Sequence, residues 1–228
     1  MTESLLPFLT NQTYTMMGDQ SKTERLRMID EAVFDHGYRT VRNGSNRDIV
    51  TYENIADPTQ KIISHRGTDT TGKKTTKEVT ADIALALGLQ GHDKEFKKRT
   101  TRTKNIVKKY PESSFKLTGH SFGGSSATHA ITKSPALRER IDTVDTYNAG
   151  FTPLFTEALK GGEKTKKNLK KRVTHHRVKG DVVSQGIILN KPVGKIKEYS
   201  LAKDIHGSVD HNNLTSKQGQ IHSLLNFY

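Results

Sequence analysis

Leu117-Thr118-Gly119-His120-Ser121-Phe122-Gly123-Gly124 is the stretch on which the fold turns. Ahead of it, Phe115 to Thr118 reads as a short buried strand; behind it, Gly123 to Lys133 is a small-residue helix. A strand that runs into a helix through G-x-S-x-G has the form of a nucleophile elbow. The turn is so tight that its central residue is held in a strained backbone conformation. Small residues two before and two after let strand and helix approach. The helix N-terminus then aims its N–H groups and partial positive charge at the same point. Ser121 is therefore the candidate nucleophile, and the backbone N–H of Phe122 is a candidate donor to an oxyanion.

Working outward, Ser21 followed by Glu24 is a capping-box pattern, and Leu26, Ile29 and Val33 keep one helical face until Gly37 stops the helix. Ile49 to Tyr52 and Lys61 to Ser64 read as strands joined through Asp57-Pro58 as a hairpin. Residues 69–78 are polar and loop-like, and Val79 to Leu89 is an apolar helical segment. Residues 92–110 predict a long helix with Phe96, Thr103, Val107 and Tyr110 on one face. Lys94, Lys97, Lys98, Arg99, Arg102, Lys104, Lys108 and Lys109 are assigned to its solvated remainder. Downstream, Asp142 to Tyr147 is a strand, 160–172 a flexible basic run, and Arg172 to Val178 and Lys195 to Leu201 two further strands. Strands alternating with helices predict an α/β domain with a mostly parallel sheet, and residues 1–228 read as a single domain.

The chain has 228 residues, with 37 Lys and Arg against 24 Asp and Glu, a formal net charge of +13. That excess points to an anionic partner (nucleic acid, a lipid surface or an acidic substrate), or serves solubility alone. No zinc-finger, helix-turn-helix or aromatic–basic RNA-binding signature accompanies it, which disfavours nucleic acid. Cysteine is absent, so disulfides, thiolate nucleophiles and Cys-ligated zinc are excluded. The His175-His176 pair lies in a strand, so its rings point to opposite faces, and no metal site is expected. The start of the sequence is a poor signal peptide, and no apolar run approaches the ~18 residues of a membrane span.

Ile62-Ile63-Ser64-His65-Arg66-Gly67-Thr68-Asp69 follows a strand and breaks at a glycine, and Thr68 offers an N–H and a hydroxyl for a second oxyanion donor. Arg66-Gly67-Thr68 together with Gly119-His120-Ser121-Phe122-Gly123-Gly124 resembles the class 3, fungal-type lipases of the α/β-hydrolase fold. Asp82-Ile83, Lys109-Tyr110-Pro111 and Thr146-Tyr147-Asn148 are similar to further segments of that pattern. His65, Val79 and Phe122 depart from it, where the family has Phe, Trp and Leu. The segment between Thr68 and Asp82, which in the family forms or adjoins the lid, is long and basic.

The resemblance implies a triad in the chain order Ser, Asp, His. Asp181, in Val178-Lys179-Gly180-Asp181-Val182-Val183, matches the family's acid; Asp142, Asp145, Glu157, Asp204 and Asp210 are the competing acids. Asp145, inside a strand, reads as structural or as an edge polar residue. His222 is the expected base, because Leu224, Leu225 and Phe227 can pin it to the core; His206 and His211 are the alternatives. His120 reads as structural, packed beside the nucleophile. The closing His-Ser-Leu-Leu-Asn-Phe is similar to lipase-like proteins of large DNA viruses, which implies a cytoplasmic or virion-associated location.

The expectation is a serine carboxylic-ester hydrolase, a triacylglycerol lipase or phospholipase, acting at an anionic membrane surface with no cofactor. The alternative is a hydrolase-fold protein of little turnover, serving as a basic membrane- or nucleic-acid-binding or structural protein.

Overall fold

In a computed structural model, residues 5–67, 93–150, 162–178 and 193–199 are described. Local signals set most of the elements. Helix α1 is Leu5–Gln12 and α2 is Lys22–Phe34. At the start of α2 the Ser21 side chain accepts from the Glu24 N–H at 3.2 Å, and Leu26, Ile29 and Val33 are buried, as the capping-box reading predicts. Gly37 follows at φ 78°, a conformation that ends the helix and starts the return into the sheet.

Seven strands form one sheet in sequential order: β1 Tyr38–Thr40, β2 Ile49–Asn54, β3 Gln60–His65, β4 Ser114–His120, β5 Ile141–Tyr147, β6 Val173–Val178 and β7 Lys195–Tyr199. β1, β2 and β3 pair antiparallel, and every later neighbour pairs parallel, so the sheet is mostly parallel as expected. Between the parallel strands run α3 (Asp93–Lys109), α4 (Phe122–Lys133), α5 (Pro135–Arg140) and α6 (Gly162–Arg172).

Strand alternation divides the apolar residues between two cores. On one face Ile63, Leu117, Val144 and Val173 pack with Ile106 and Val107 of α3, Ala127 and Ile131 of α4, and Leu169 of α6. On the other, Val50, Tyr52 and Ile62 pack with Leu9, Leu26, Ile29 and Val33. α1 reaches that second face through hydroxyls. Thr10 Oγ1 lies 2.7 Å from Thr118 Oγ1, and the turn that follows α1 places Thr13 Oγ1 2.7 Å from Ser64 Oγ.

Two sequence expectations change. The basic run ending at Arg172 is helical over 162–172 rather than flexible. Lysine is a good helix former, the last turn places Lys170, Lys171 and Arg172 against the negative end of the helix dipole, and Leu169, 1 % exposed, anchors the helix on the core. Arg99 belongs to the buried face of α3, because the helical period sets it three residues after Phe96 and four before Thr103, both buried. The other lysines assigned to the solvated face are exposed, and Arg102 is half-buried. Val79 to Leu89 and the polar segment before it lie outside the described residues.

Candidate active site

β4 enters the elbow with Gly119 and α4 leaves it with Gly123. A Cβ on Gly119 would lie 2.5 Å from the Gly123 carbonyl carbon and oxygen, and one on Gly123 would lie 2.1 Å from the His65 carbonyl oxygen. No side chain fits at either place, so the strand, the helix and the end of β3 meet backbone to backbone. Ser121 sits between the two glycines at φ 51°, ψ −125°, in a region that costs a non-glycine residue about 1–3 kcal/mol. The conformation is held: the Ser121 N–H donates to the Tyr147 carbonyl at 2.9 Å, and its own carbonyl accepts from Ser125 N–H at 3.2 Å. Phe122 opens α4, in the turn whose N–H groups have no intrahelical acceptor.

The chain around Ser121 is clamped from three sides. His120 is buried and pairs through Nδ1 with the Tyr14 hydroxyl at 2.8 Å; burial pushes it down to about 4, so the ring is neutral near pH 7. It packs beside the nucleophile, as expected. The same Tyr14 hydroxyl covers Gly67, where a Cβ would come within 2.1 Å of it.

His65, buried at the end of β3, makes two side-chain hydrogen bonds. Thr103 Oγ1 spends its proton on the Arg99 carbonyl at 2.9 Å, so it accepts from His65 Nε2 at 2.9 Å, and His65 Nδ1 accepts from Ser126 Oγ at 3.0 Å. Burial, then the charge of Arg99, push this ring down to about 3.

The third clamp is ionic and was not foreseen. Arg99, 4 % exposed, donates to the Arg66 carbonyl and to Glu95 Oε1 at 3.1 Å, and its guanidinium lies 4.9 Å from the Phe122 ring centre. Arg66, 6 % exposed, donates to the Arg47 carbonyl at 2.8 Å and to the Gly67 carbonyl at 2.9 Å. Asp48 Oδ1 lies 3.6 Å from each guanidinium, and Lys98 donates to Asp48 Oδ2 at 3.1 Å. Burial alone would raise the Asp48 carboxyl, but Arg99, Lys98 and Arg66 outweigh it and hold it below the usual range. Asp48 carries no sequence signal; Arg99 was readable from its helical position.

The two neighbouring histidines of β6 do point to opposite faces. His175 pairs with Thr146 Oγ1 at 2.7 Å and donates to the Val193 carbonyl at 3.0 Å, with burial pushing it down to about 4. His176 pairs with Asp145 at 3.0 Å and with the Tyr199 hydroxyl at 2.9 Å. Of the predicted site, Ser121 and Phe122 are placed together at the elbow. Thr68, Asp181 and His222 lie outside the described residues, as do His206 and His211.

Among solved structures, the Yarrowia lipolytica LIP2 lipase superimposes over 90 % of this chain and 81 % of its own length, with a TM-score of 0.54 at 13 % sequence identity. The chain has the α/β-hydrolase fold. Lipase II from Rhizopus niveus gives a TM-score of 0.47 at 13 % identity, over 81 % of this chain and 76 % of that one. A lipase from Rhizopus microsporus var. chinensis gives 0.46 at 12 % identity, over 81 % and 70 %. No protein-family model and no curated protein sequence matches the chain. The resemblance expected from Arg66-Gly67-Thr68 and the elbow therefore holds at the level of the fold, where residues as far apart as Thr10 and Thr118 take part.

Proposed function

We propose that the chain is a serine carboxylic-ester hydrolase acting on lipid esters, with Ser121 as nucleophile, His222 as base, Asp181 as its orienting acid, and the N–H groups of Thr68 and Phe122 as the oxyanion hole. The observation that carries this reading is Ser121 itself, a non-glycine residue at φ 51° on a strand-to-helix turn. Such strain persists only where the surroundings over-determine it, and it clusters at reactive groups.

In the reaction, His222 takes the Ser121 Oγ proton as Oγ bonds to the ester carbonyl carbon. The carbonyl oxygen becomes an oxyanion between two N–H donors. As the C–O bond to the alcohol breaks, His222 returns the proton to the leaving oxygen. Water then repeats both steps on the acyl-enzyme and releases the acid. Exposed Lys94, Lys97 and Lys98 stand on the same turns of α3 as Phe96, which stacks on Phe122 at 4.8 Å, so positive charge flanks the elbow. That placement favours an anionic lipid surface as the site of action. Among the described residues no helix is long and apolar enough to cross a membrane.

Hydrolysis of p-nitrophenyl butyrate and covalent labelling by a fluorophosphonate test the reading. Both are expected in the wild type and lost in Ser121→Ala; equal rates for the two proteins overturn it. Loss of labelling in His206→Ala or His211→Ala, with labelling kept in His222→Ala, would reassign the base. Salt-sensitive sedimentation with anionic but not neutral vesicles is expected, and indifference to lipid charge would remove the anionic surface.

A further inference from the structure

No step of the triad chemistry uses an arginine or lysine, yet the described part of the site is built on two buried arginines. Arg66 and Arg99 share Asp48, with Lys98 and Glu95 at the rim, so three cations face two carboxylates. A buried ion cluster is costly to desolvate and is weak evidence for stability by itself. Its hydrogen bonds go to particular places: Arg99 donates to the Arg66 carbonyl and Arg66 donates to the Gly67 carbonyl. These are the two peptide units immediately before Thr68. The Arg66 peptide is also the backbone that a Cβ at Gly123 would strike at 2.7 Å, so it rests directly on the first turn of α4. The guanidinium of Arg99 lies against the ring of Phe122, the residue next to Ser121. One side chain of α3 therefore touches both the Arg66 peptide at the end of β3 and Phe122 at the start of α4.

We infer that Arg99 is a positioning residue for the oxyanion hole: held by Asp48 and Glu95, its guanidinium fixes the Arg66 peptide against α4 and covers Phe122, which holds the helix end that carries the Phe122 N–H against the end of β3. The inference rests on the hydrolase reading above. An oxyanion hole works through donors placed in advance, and a displacement near 1 Å costs about 100-fold in rate. Arg99 acts on the donors and does not meet the substrate, so its loss reaches kcat and leaves KM. Lysine at 99 supplies charge without the fork that reaches the Arg66 carbonyl, Glu95 and Asp48 together.

Arg140 provides the comparison. It also ties backbone carbonyls, those of Tyr110, Pro111 and Ser113, but at the end of β4 remote from Ser121. The experiment measures kcat and KM for p-nitrophenyl butyrate, the fluorophosphonate labelling rate and the melting temperature in wild type, Arg99→Met, Arg99→Lys and Arg140→Met. Arg99→Met is expected to lose 10- to 100-fold in kcat and in labelling rate, with KM within twofold. Arg99→Lys is expected between it and wild type, and Arg140→Met within threefold of wild type in kcat whatever its melting temperature. If Arg99→Met does not fold, Arg99→Lys carries the same comparison, with a kcat loss beyond that of Arg140→Met expected. The inference is overturned if the Arg99 variants keep wild-type kcat, or if their loss matches that of Arg140→Met. A wild type with no Ser121-dependent turnover sinks the hydrolase reading itself, a result distinct from either of these.

Discussion

Replacing Gly123 by alanine separates what the elbow needs for folding from what it needs for chemistry. The new methyl carbon would lie 2.1 Å from the His65 carbonyl oxygen and 2.7 Å from the carbonyl carbon and oxygen of Arg66. Ordinary contact begins near 3.4 Å, so β3 and the first turn of α4 must part by about 1 Å or more. Two effects on stability oppose each other. Alanine inside a helix gains about 0.5–1 kcal/mol over glycine, while forcing an extra carbon into a packed site costs about 1–3 kcal/mol. The net is a loss of about 0–2.5 kcal/mol, which at ~2–4 °C per kcal/mol for a chain of this size lowers the melting temperature by up to about 10 °C. The chemistry has no such offset: the gap opens between the peptide before Thr68 and the helix that bears Phe122, so kcat should fall about 100-fold. Ester turnover and thermal melting measured side by side, with Gly37→Ala as the reference, test this. Gly37 lies at φ 78° with nothing within 4 Å, so its alanine variant costs stability without touching the elbow. Wild-type turnover by Gly123→Ala, or equal losses of turnover in the two variants at matched stability, would refute the reasoning.

Two further predictions follow from the buried partners. Asp48 is held below its ordinary value, so its stabilising contribution is present above the unfolded value of about 3.9 and is lost as pH falls through the folded one. Asp48→Asn should therefore lower the urea midpoint at pH 7 and flatten its decline below about pH 4, and an unchanged acid limb would count against the cluster. Leu169→Ala removes the buried anchor of α6 and should cost about 2–5 kcal/mol with loss of helical circular dichroism; a near-neutral effect would mean that α6 does not pack on the core.

The parts of the fold written in local chemistry were legible. Ser21 with Glu24, the Asp57-Pro58 turn and the two glycines of the elbow each act within a few residues, and each formed as read. β1 was missed because three residues carry no usable period. α6 was misread because lysine marks equally a solvated run and a helix end, and only the burial of Leu169 decides between them. Arg99 was misassigned through its charge when its position said otherwise: residue type argued for solvent, and the helical period argued for the interior. The cluster it joins draws on β3, α3 and the loop at Asp48, a meeting that no local pattern encodes. Ser121 and Phe122 were found because steric need confines glycine to fixed places around them.

The hydroxyl pair between Thr10 and Thr118 spans 108 residues, and Thr13 meets Ser64 across 51. During synthesis at about 5–20 residues per second, the α1 segment waits on the order of 5–20 s for its β4 partner to be made. Leu9 and, in the turn after α1, Met16 pack with Leu26, Ile29, Tyr52 and Ile62, all made before β4, so the apolar side of this segment has partners while the Thr118 hydroxyl is still to come. The strand that delivers the nucleophile is therefore completed by a segment made more than 100 residues before it, a contact of high sequence separation. A nascent chain halted before residue 118 can seat α1 on Tyr52, Ile62 and Ser64, and it lacks only the hydroxyl contact that ties α1 to the strand carrying the nucleophile.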